Sequence, residues 1–102
     1  AATGPMRFFR PATAGVLGAA LAVARLQGLG RDRMADVLGL AYSFTSGTMQ
    51  AHVEASVALP LQIASAARAA ITAVDLASAG MDGPHDVLAG PFGYAALIEN
   101  ID

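Results

Sequence analysis

Residues 12–26 read ATAGVLGAALAVARL, and this stretch decides the fold because it is apolar on nearly every side when drawn as a helix. A helix of that kind lies at the centre of a larger globule or spans a membrane. Pro11 and Arg25 bracket the run, which leaves it short of the about 20 apolar residues that a span needs. We therefore predict an all-α protein with this helix at its centre, and no membrane partner.

The composition also favours an interior position. Of the 102 residues, 55% are hydrophobic and 14% are charged, whereas about 25% are charged in a typical soluble domain. The mean hydropathy is +0.52. A lone chain of this size buries only about two-thirds of its surface. We expect an antiparallel helical bundle segment that is part of a larger helical domain, and an isolated chain that is inactive and tends to associate.

Charge and motifs exclude several classes of function. The net charge is −2 and cysteine is absent, so nucleic-acid binding, disulfides and thiolate chemistry are not indicated. The N-terminal residues lack the charged and apolar pattern of a signal peptide. No Walker loop, GxGxxG or CxxC motif occurs, and no metal site is indicated. We predict a cytoplasmic protein without a nucleic-acid partner.

Turn residues separate two helices in the first half of the chain. Gly28 and Gly30 end the first, over about residues 12–27. Asp32 suits the N-cap of the second, over about residues 33–42. Within residues 43–59, the polar residues 43–48 are loop or cap material. Residues 49–58 are compatible with a short helix or a strand-like excursion, and the sequence does not decide between them.

A third helix has the clearest period. Pro60 suits its start and Gly80 its end, which predicts a helix over about residues 61–79. Short helices are expected after residue 84, the first over residues 85–88. The expected polar stripe of the third helix consists of Gln62, Ser65, Arg68, Thr72, Asp75 and Ser78. Its expected apolar stripe consists of Ile63, Ala67, Ala70, Val74 and Ala77.

The faces of the first two helices can be assigned in the same way. Ala14, Gly18 and Ala22 form a row of small residues, and we expect a neighbouring helix or a ligand to approach it closely. In the second helix the apolar period comprises Met34, Val37, Leu38 and Ala41. The charged residues Asp32, Arg33 and Asp36 are then expected to face solvent.

Few side chains suggest chemistry. His52 with Glu54 could form an acid–base couple, but residues two apart do not share a helix face. His85 with Asp86 is expected to be structural. Arg68 is also expected to be structural, paired with Asp75 or with a partner outside this chain.

Arg10 is the strongest candidate, because it precedes the apolar helix. An arginine there could clamp a carboxylate through two hydrogen bonds, with nearby helix N–H groups assisting. The alternative is a structural salt bridge.

The ordered series of motifs resembles the MmgE/PrpD family over about residues 6–98. The matching stretches are RPATAGVLGAA from Arg10, ARLQGL from Ala24, ADVLGLA from Ala35, LASAGMDGP from Leu76 and VLAGPFG from Val87. The family includes 2-methylcitrate dehydratases, cis-aconitate decarboxylases and iminodisuccinate epimerases.

The resemblance implies a large all-α domain with a smaller α/β lid, usually in a homodimer formed through the helical domain. This chain would be the middle of the helical domain, without the lid. The implied chemistry is cofactor-independent proton transfer next to a carboxylate of a small di- or tricarboxylic acid, as in an epimerase, isomerase or dehydratase.

The chain departs from the family at two motifs. The family's Phe-His-Pro entry reads FFRP at residues 8–11, so either Phe9 or Arg10 takes the place of the histidine. The family's Lys-x-Leu-His motif reads LPLQ at residues 59–62. The Arg-Pro entry is more similar to the epimerase-like branch. The resemblance implies substrate binding by Arg10, with Thr13 and Gln62 as further polar candidates, and assigns no catalytic acid or base. The alternative is a non-catalytic helical scaffold or dimerisation module.

Overall fold

The computed structural model describes residues 2–3, 7–98 and 100–101. Its elements in chain order are β1 (Ala2–Thr3), α1 (Arg10–Thr13), α2 (Gly15–Leu26), a 3₁₀ turn (Arg31–Arg33), α3 (Met34–Ser43), α4 (Gln50–Val53), α5 (Ala58–Ser78), α6 (Tyr94–Leu97) and β2 (Asn100–Ile101). The two short strands pair antiparallel, with Ala2 opposite Ile101. The predicted all-α class is confirmed.

Three helices, α2, α3 and α5, pack against one another to form the core. Most of its side chains are alanine or valine, and small side chains allow helices to approach closely. The fully buried members are Val16, Ala20 and Ala24 of α2, Val37 and Ala41 of α3, and Ala70, Ala73, Val74 and Ala77 of α5.

Contacts at the helix ends give the directions of these helices. A Cβ atom placed on Gly47 would lie 3.3 Å from both the Ala12 Cβ and the Gln62 Cδ, so α1 and α5 begin at the same end of the bundle. The Arg33 side chain, just before α3, donates a 2.7 Å hydrogen bond to the Ala77 carbonyl near the end of α5. The helix α3 therefore begins where α5 ends and runs antiparallel to it.

The first predicted helix starts earlier than expected, at Arg10, and consists of α1 and α2 with Ala14 between them. The third also starts earlier, at Ala58, so that Pro60 is its third residue. Proline is tolerated there because the first four N–H groups of a helix have no partner within the helix.

Of the two structures left open for residues 49–58, the structure has the short helix, and the one strand-like pairing near it lies at Thr48 in the preceding loop. The helix α4 forms a single turn, and Thr48 makes an isolated antiparallel bridge with Phe8. The prediction of a helix over residues 85–88 is wrong, since a bend and a turn occupy this segment. The carbonyl of Val87 accepts a hydrogen bond from the N–H of Tyr94 instead of continuing a helix.

The prediction for the small-residue face of α2 is wrong for the described chain. Ala14, Gly18 and Ala22 are exposed, and a Cβ atom on Gly18 would meet nothing within 4 Å. The side of α2 that carries Val16 and Leu17 is buried instead, because these larger side chains bury more apolar surface.

The predicted apolar stripe of α5 is buried only in its second half, and Ile63 and Ala67 are exposed. The reason is length: α5 has 21 residues, whereas α2 has 12 and α3 has 10. The expected pair of Arg68 and Asp75 does not form among the described residues. Two helical turns separate these residues by about 10 Å along the axis.

The segment that follows α5 packs directly on the backbone of α3. At Gly39 a Cβ atom would overlap the Pro84 carbonyl oxygen and lie 2.9 Å from the Gly83 carbonyl carbon. A side chain at Gly39 would therefore push the loop away from the helix.

We expect Gly39→Ala to lower the free energy of unfolding by about 1–3 kcal/mol, the usual effect of overpacking. Gly18→Ala is the matched control, because its Cβ meets open space, and it should raise the stability by about 0.5–1 kcal/mol. Urea unfolding followed by circular dichroism measures both changes. Equal effects of the two substitutions would contradict the close approach at Gly39.

Three helix ends share one backbone pattern, in which a residue with positive φ follows the helix. Gly28 (φ 78°) ends α2, Ala55 (φ 54°) follows α4, and Gly80 (φ 98°) ends α5. After each, the next N–H bonds back to a carbonyl in the last turn of the helix, as Met81 does to Leu76 at 3.0 Å. Ala55 is thus an alanine in a conformation that favours glycine.

We predict that Ala55→Gly stabilises the protein by about 1 kcal/mol, because the left-handed conformation costs an alanine about that much. Ala51→Gly in the preceding turn is the control and should destabilise instead, since its backbone is helical. Thermal unfolding of both variants checks the prediction, which fails if Ala55→Gly lowers the melting temperature.

Candidate functional site

The predicted carboxylate site lies where α1 begins. The N–H of Phe9 donates to the Gly47 carbonyl at 3.0 Å, and the N–H of Met49 donates to the Arg7 carbonyl at 2.9 Å. These two bonds fix the backbone on either side of the Phe8–Thr48 bridge. Arg10, half-buried, follows directly as the first residue of α1.

Gln62 approaches the same segment from α5. Its Nε2 donates a long hydrogen bond of 3.4 Å to the Thr48 carbonyl. Its Oε1 is buried and accepts no hydrogen bond from the described residues. A Cβ atom on Gly47 would lie only 3.0 Å from this oxygen. A buried acceptor without a donor is uncommon and marks a place where a ligand or water donor would be stabilised.

Thr13 is placed differently from the other two predicted site residues. It is fully buried in α1, and its hydroxyl donates to the Phe9 carbonyl at 3.3 Å. The structure thus places Arg10 directly after the segment that pairs with residues 47–49, Gln62 beside Thr48, and Thr13 in the buried interior. Substrate binding by all three residues stays a prediction.

A second polar cluster, which the sequence interpretation missed, surrounds Asp36. This residue was expected to face solvent, but it is 5% exposed. Its Oδ1 lies 2.8 Å from the His85 Nε2 and accepts a 3.1 Å hydrogen bond from the Gly83 N–H. Its Oδ2 lies 3.1 Å from the Arg33 guanidinium. We call Arg33, Asp36, Gly83 and His85 the Asp36 cluster.

The prediction that Asp36 faces solvent is wrong, because the buried face of α3 is rotated relative to the predicted apolar face. Buried Leu40 lies four residues after Asp36 and shares its face. The signal that could have located the cluster is a charged pair at i and i+3, Arg33 and Asp36, in line with that buried residue.

Arg33 links the cluster to the end of α5. Its guanidinium donates to the Ala77 carbonyl at 2.7 Å and to the Met81 carbonyl at 3.1 Å. A cation is favourable at this position because the last carbonyls of a helix carry partial negative charge. The cluster therefore joins α3, the end of α5 and the following loop.

The contacts of Asp36 determine the direction of its pKa shift. The hydrogen bond with His85 lowers the pKa of the carboxyl below its ordinary 3.8, and the Gly83 N–H and the charge of Arg33 lower it further. Burial opposes this by raising the pKa. The net shift is downward, so the folded protein stabilises the ionised form of Asp36.

The remaining histidine carries no comparable arrangement. His52 is exposed on α4, and no hydrogen bond or ion pair joins it to Glu54, whose carboxylate accepts a bond from Gln50. Within the described residues there is no group of three or more acidic, histidine or cysteine side chains that could hold a metal ion. No described helix combines the length and apolar character needed to cross a membrane.

Comparison with known proteins identifies the family. The model of the MmgE/PrpD N-terminal domain matches residues 1–101. The chain belongs to the MmgE/PrpD family. It is also similar to human cis-aconitate decarboxylase, with 33% identity over 96 residues. That match covers 94% of this chain and 20% of the relative, so this MmgE/PrpD chain spans about a fifth of the length of the curated relative that it matches.

Asp36→Asn should destabilise the protein at neutral pH, because the amide removes the charge that Arg33 faces and alters the hydrogen bond with His85. Since the pKa of Asp36 is lowered on folding, its contribution to stability is present above pH 3.8 and is lost as the pH falls through the folded pKa. The stability difference between wild type and variant should therefore shrink below pH 3.8.

Melting temperatures measured between pH 2.5 and 7 test this expectation, with the range chosen about the ordinary carboxyl pKa of about 4. The control is Asp75→Asn, which changes an exposed carboxylate on α5 that makes no ion pair among the described residues. Its effect should stay within about 0.5 kcal/mol. A difference for Asp36→Asn that does not vary with pH would contradict the assignment.

Proposed function

We propose that this chain supplies carboxylate-binding residues to the active site of an MmgE/PrpD enzyme. The reaction is cofactor-independent proton transfer next to a carboxylate of a small di- or tricarboxylic acid. The observation that carries the proposal is that residues 47–49 pair with the segment just before Arg10 and also contact Gln62, whose buried oxygen accepts no hydrogen bond from the described residues. A cytoplasmic location and a homodimer formed through the helical domain belong to the same proposal.

The two side chains have complementary roles. The Arg10 guanidinium is permanently charged and matches the two oxygens of a carboxylate. The Gln62 Oε1 accepts a hydrogen bond from a substrate hydroxyl or from a protonated carboxyl group. Neither side chain exchanges a proton near neutral pH, so both position the substrate, and other residues of the enzyme supply the acid and base.

The similarity to human cis-aconitate decarboxylase supports a carboxylate substrate, since that protein's name describes action on a tricarboxylic acid. The departures of this chain favour a different reaction within the family. Arg10 or Phe9 stands where the family's entry histidine is expected, and Gln62 stands at the second histidine position. We infer an epimerase-like or isomerase-like reaction in preference to decarboxylation.

The second candidate function is a non-catalytic helical scaffold or dimerisation module. The same departures favour it, as do exposed apolar side chains on α5, where Leu61 is 66% and Ile71 is 50% exposed. Assay of the complete protein with iminodisuccinate, 2-methylcitrate and cis-aconitate separates the candidates. Turnover of one substrate supports the enzyme, and no turnover of any supports the scaffold.

In the complete protein, Arg10→Ala is expected to lower kcat/KM by about 10- to 100-fold. A hydrogen bond to a charged group contributes about 1.5–3 kcal/mol. Gln62→Leu should lower kcat/KM by about 10-fold, since it removes the acceptor at nearly constant volume. Steady-state kinetics with the best of the three substrates measures both effects.

Arg31→Ala is the matched control, because Arg31 is an exposed arginine in the 3₁₀ turn. It should leave kcat/KM unchanged. Thermal unfolding of each variant establishes that it is folded. Wild-type kcat/KM in a folded Arg10→Ala protein would rule out the proposed binding role.

A further inference from the structure

A cleft of about 370 Å³ lies between the end of α3 and the loop before α6, in the size range of about 300–1,000 Å³ usual for small-molecule sites. We propose that it binds a small organic cation with an apolar body, whose positive group pairs with Asp86. None of the residues that line the cleft belongs to the Arg10 and Gln62 site. The inference is therefore independent of the proposed function.

The walls of the cleft are apolar, and a hydrogen bond joins two of them. The Tyr42 hydroxyl, on α3, donates a 2.9 Å hydrogen bond to the Phe92 carbonyl in the facing loop. Pro84, Val87 and Pro91 complete the apolar lining. Proline rings and a bonded tyrosine lose little freedom when a ligand enters, so the cleft is preorganised.

The charge of the ligand follows from the polar groups of the lining. Asp86 is its single charged residue, and no described residue forms an ion pair with its carboxylate. The Ser43 hydroxyl already donates to the Gly39 carbonyl at 3.0 Å. A carboxylate accepts hydrogen bonds and donates none, so the matching ligand group is a donor, and a cationic donor is favoured because its charge strengthens the bond. The rings of Tyr42 and Phe92 also favour a cation over a neutral group.

The Asp36 cluster holds this arrangement in place. Pro84 and Asp86 line the cleft, whereas His85 between them lies 2.8 Å from the buried Asp36 carboxylate. The Gly83 N–H is bound to the same carboxylate. Because Gly83 and His85 are fixed on α3, the residues that alternate with them, Pro84 and Asp86, line the cleft.

Isothermal titration calorimetry of the complete protein with benzylammonium and benzyl alcohol tests the proposal. The two probes share an apolar ring and differ in charge. We expect benzylammonium to bind at least tenfold more tightly than benzyl alcohol, with an affinity that falls as salt is added. Asp86→Asn should weaken benzylammonium about tenfold and leave benzyl alcohol unchanged, and Phe92→Ala should weaken both.

Asp82→Asn is the control, because it changes an exposed carboxylate in the same loop that does not line the cleft. It should preserve the affinity. Asp86 and Phe92 are also exposed, so their variants are expected to fold, which thermal unfolding verifies. The proposal is overturned if neither probe binds, if both bind equally, or if Asp86→Asn and Asp82→Asn have the same effect.

Discussion

The buried carboxylate of Asp36 holds together parts of the chain that are far apart in sequence. Its partners are Arg33 in the preceding turn and Gly83 and His85 beyond the end of α5. A buried charge is tolerated only when several donors replace the water that it loses. Three donors do so here, and one of them, Arg33, also binds the last carbonyls of α5.

This cluster matters because the side chains of the core do little to fix the position of one helix relative to another. Its largest fully buried side chains are Val16, Val37, Val74 and Thr13. Alanine and valine pack well at several relative shifts of two helices, whereas a carboxylate with fixed donors permits one arrangement. The contacts of Asp36 therefore fix the loop after α5 on α3, Arg33 joins α3 to the end of α5, and Gly39 lies against the Pro84 loop.

The helices were predictable from local signals, whereas only the pair of Arg33 and Asp36 within the cluster was. Gly28 and Gly80 end helices by their positive φ, which a sequence reveals through the residue type alone. Asp36 is bonded to a residue 49 positions away, and no local pattern encodes such a distance. Two faces of α3 fit an apolar period, and both include Val37 and Ala41. The prediction took the face that leaves Asp36 in solvent, because charged residues usually face solvent, and that face is the wrong one.

The candidate site was likewise predictable only in part. Arg10 was identified by its place before the apolar helix and by resemblance to the family, and Gln62 by the resemblance alone. The meeting of the segment before Arg10 with Gln62 at residues 47–49 could not be foreseen, since residues 47–53 combine a bridge with a single helical turn and have no clear period. The Gln62 oxygen, which accepts no hydrogen bond from the described residues, reflects three-dimensional packing that the local sequence does not encode.

The length of α5 has a thermodynamic consequence for the two ends of the bundle. Fifteen residues of helix between Gln62 and Ala77 correspond to about 22 Å. Free-energy changes from substitutions more than about 10 Å apart usually add without coupling. Gln62 and Asp36 should therefore show almost no coupling energy in a double-mutant cycle. Substitutions at one end of the bundle can then accumulate without changing the stability contribution of the other end.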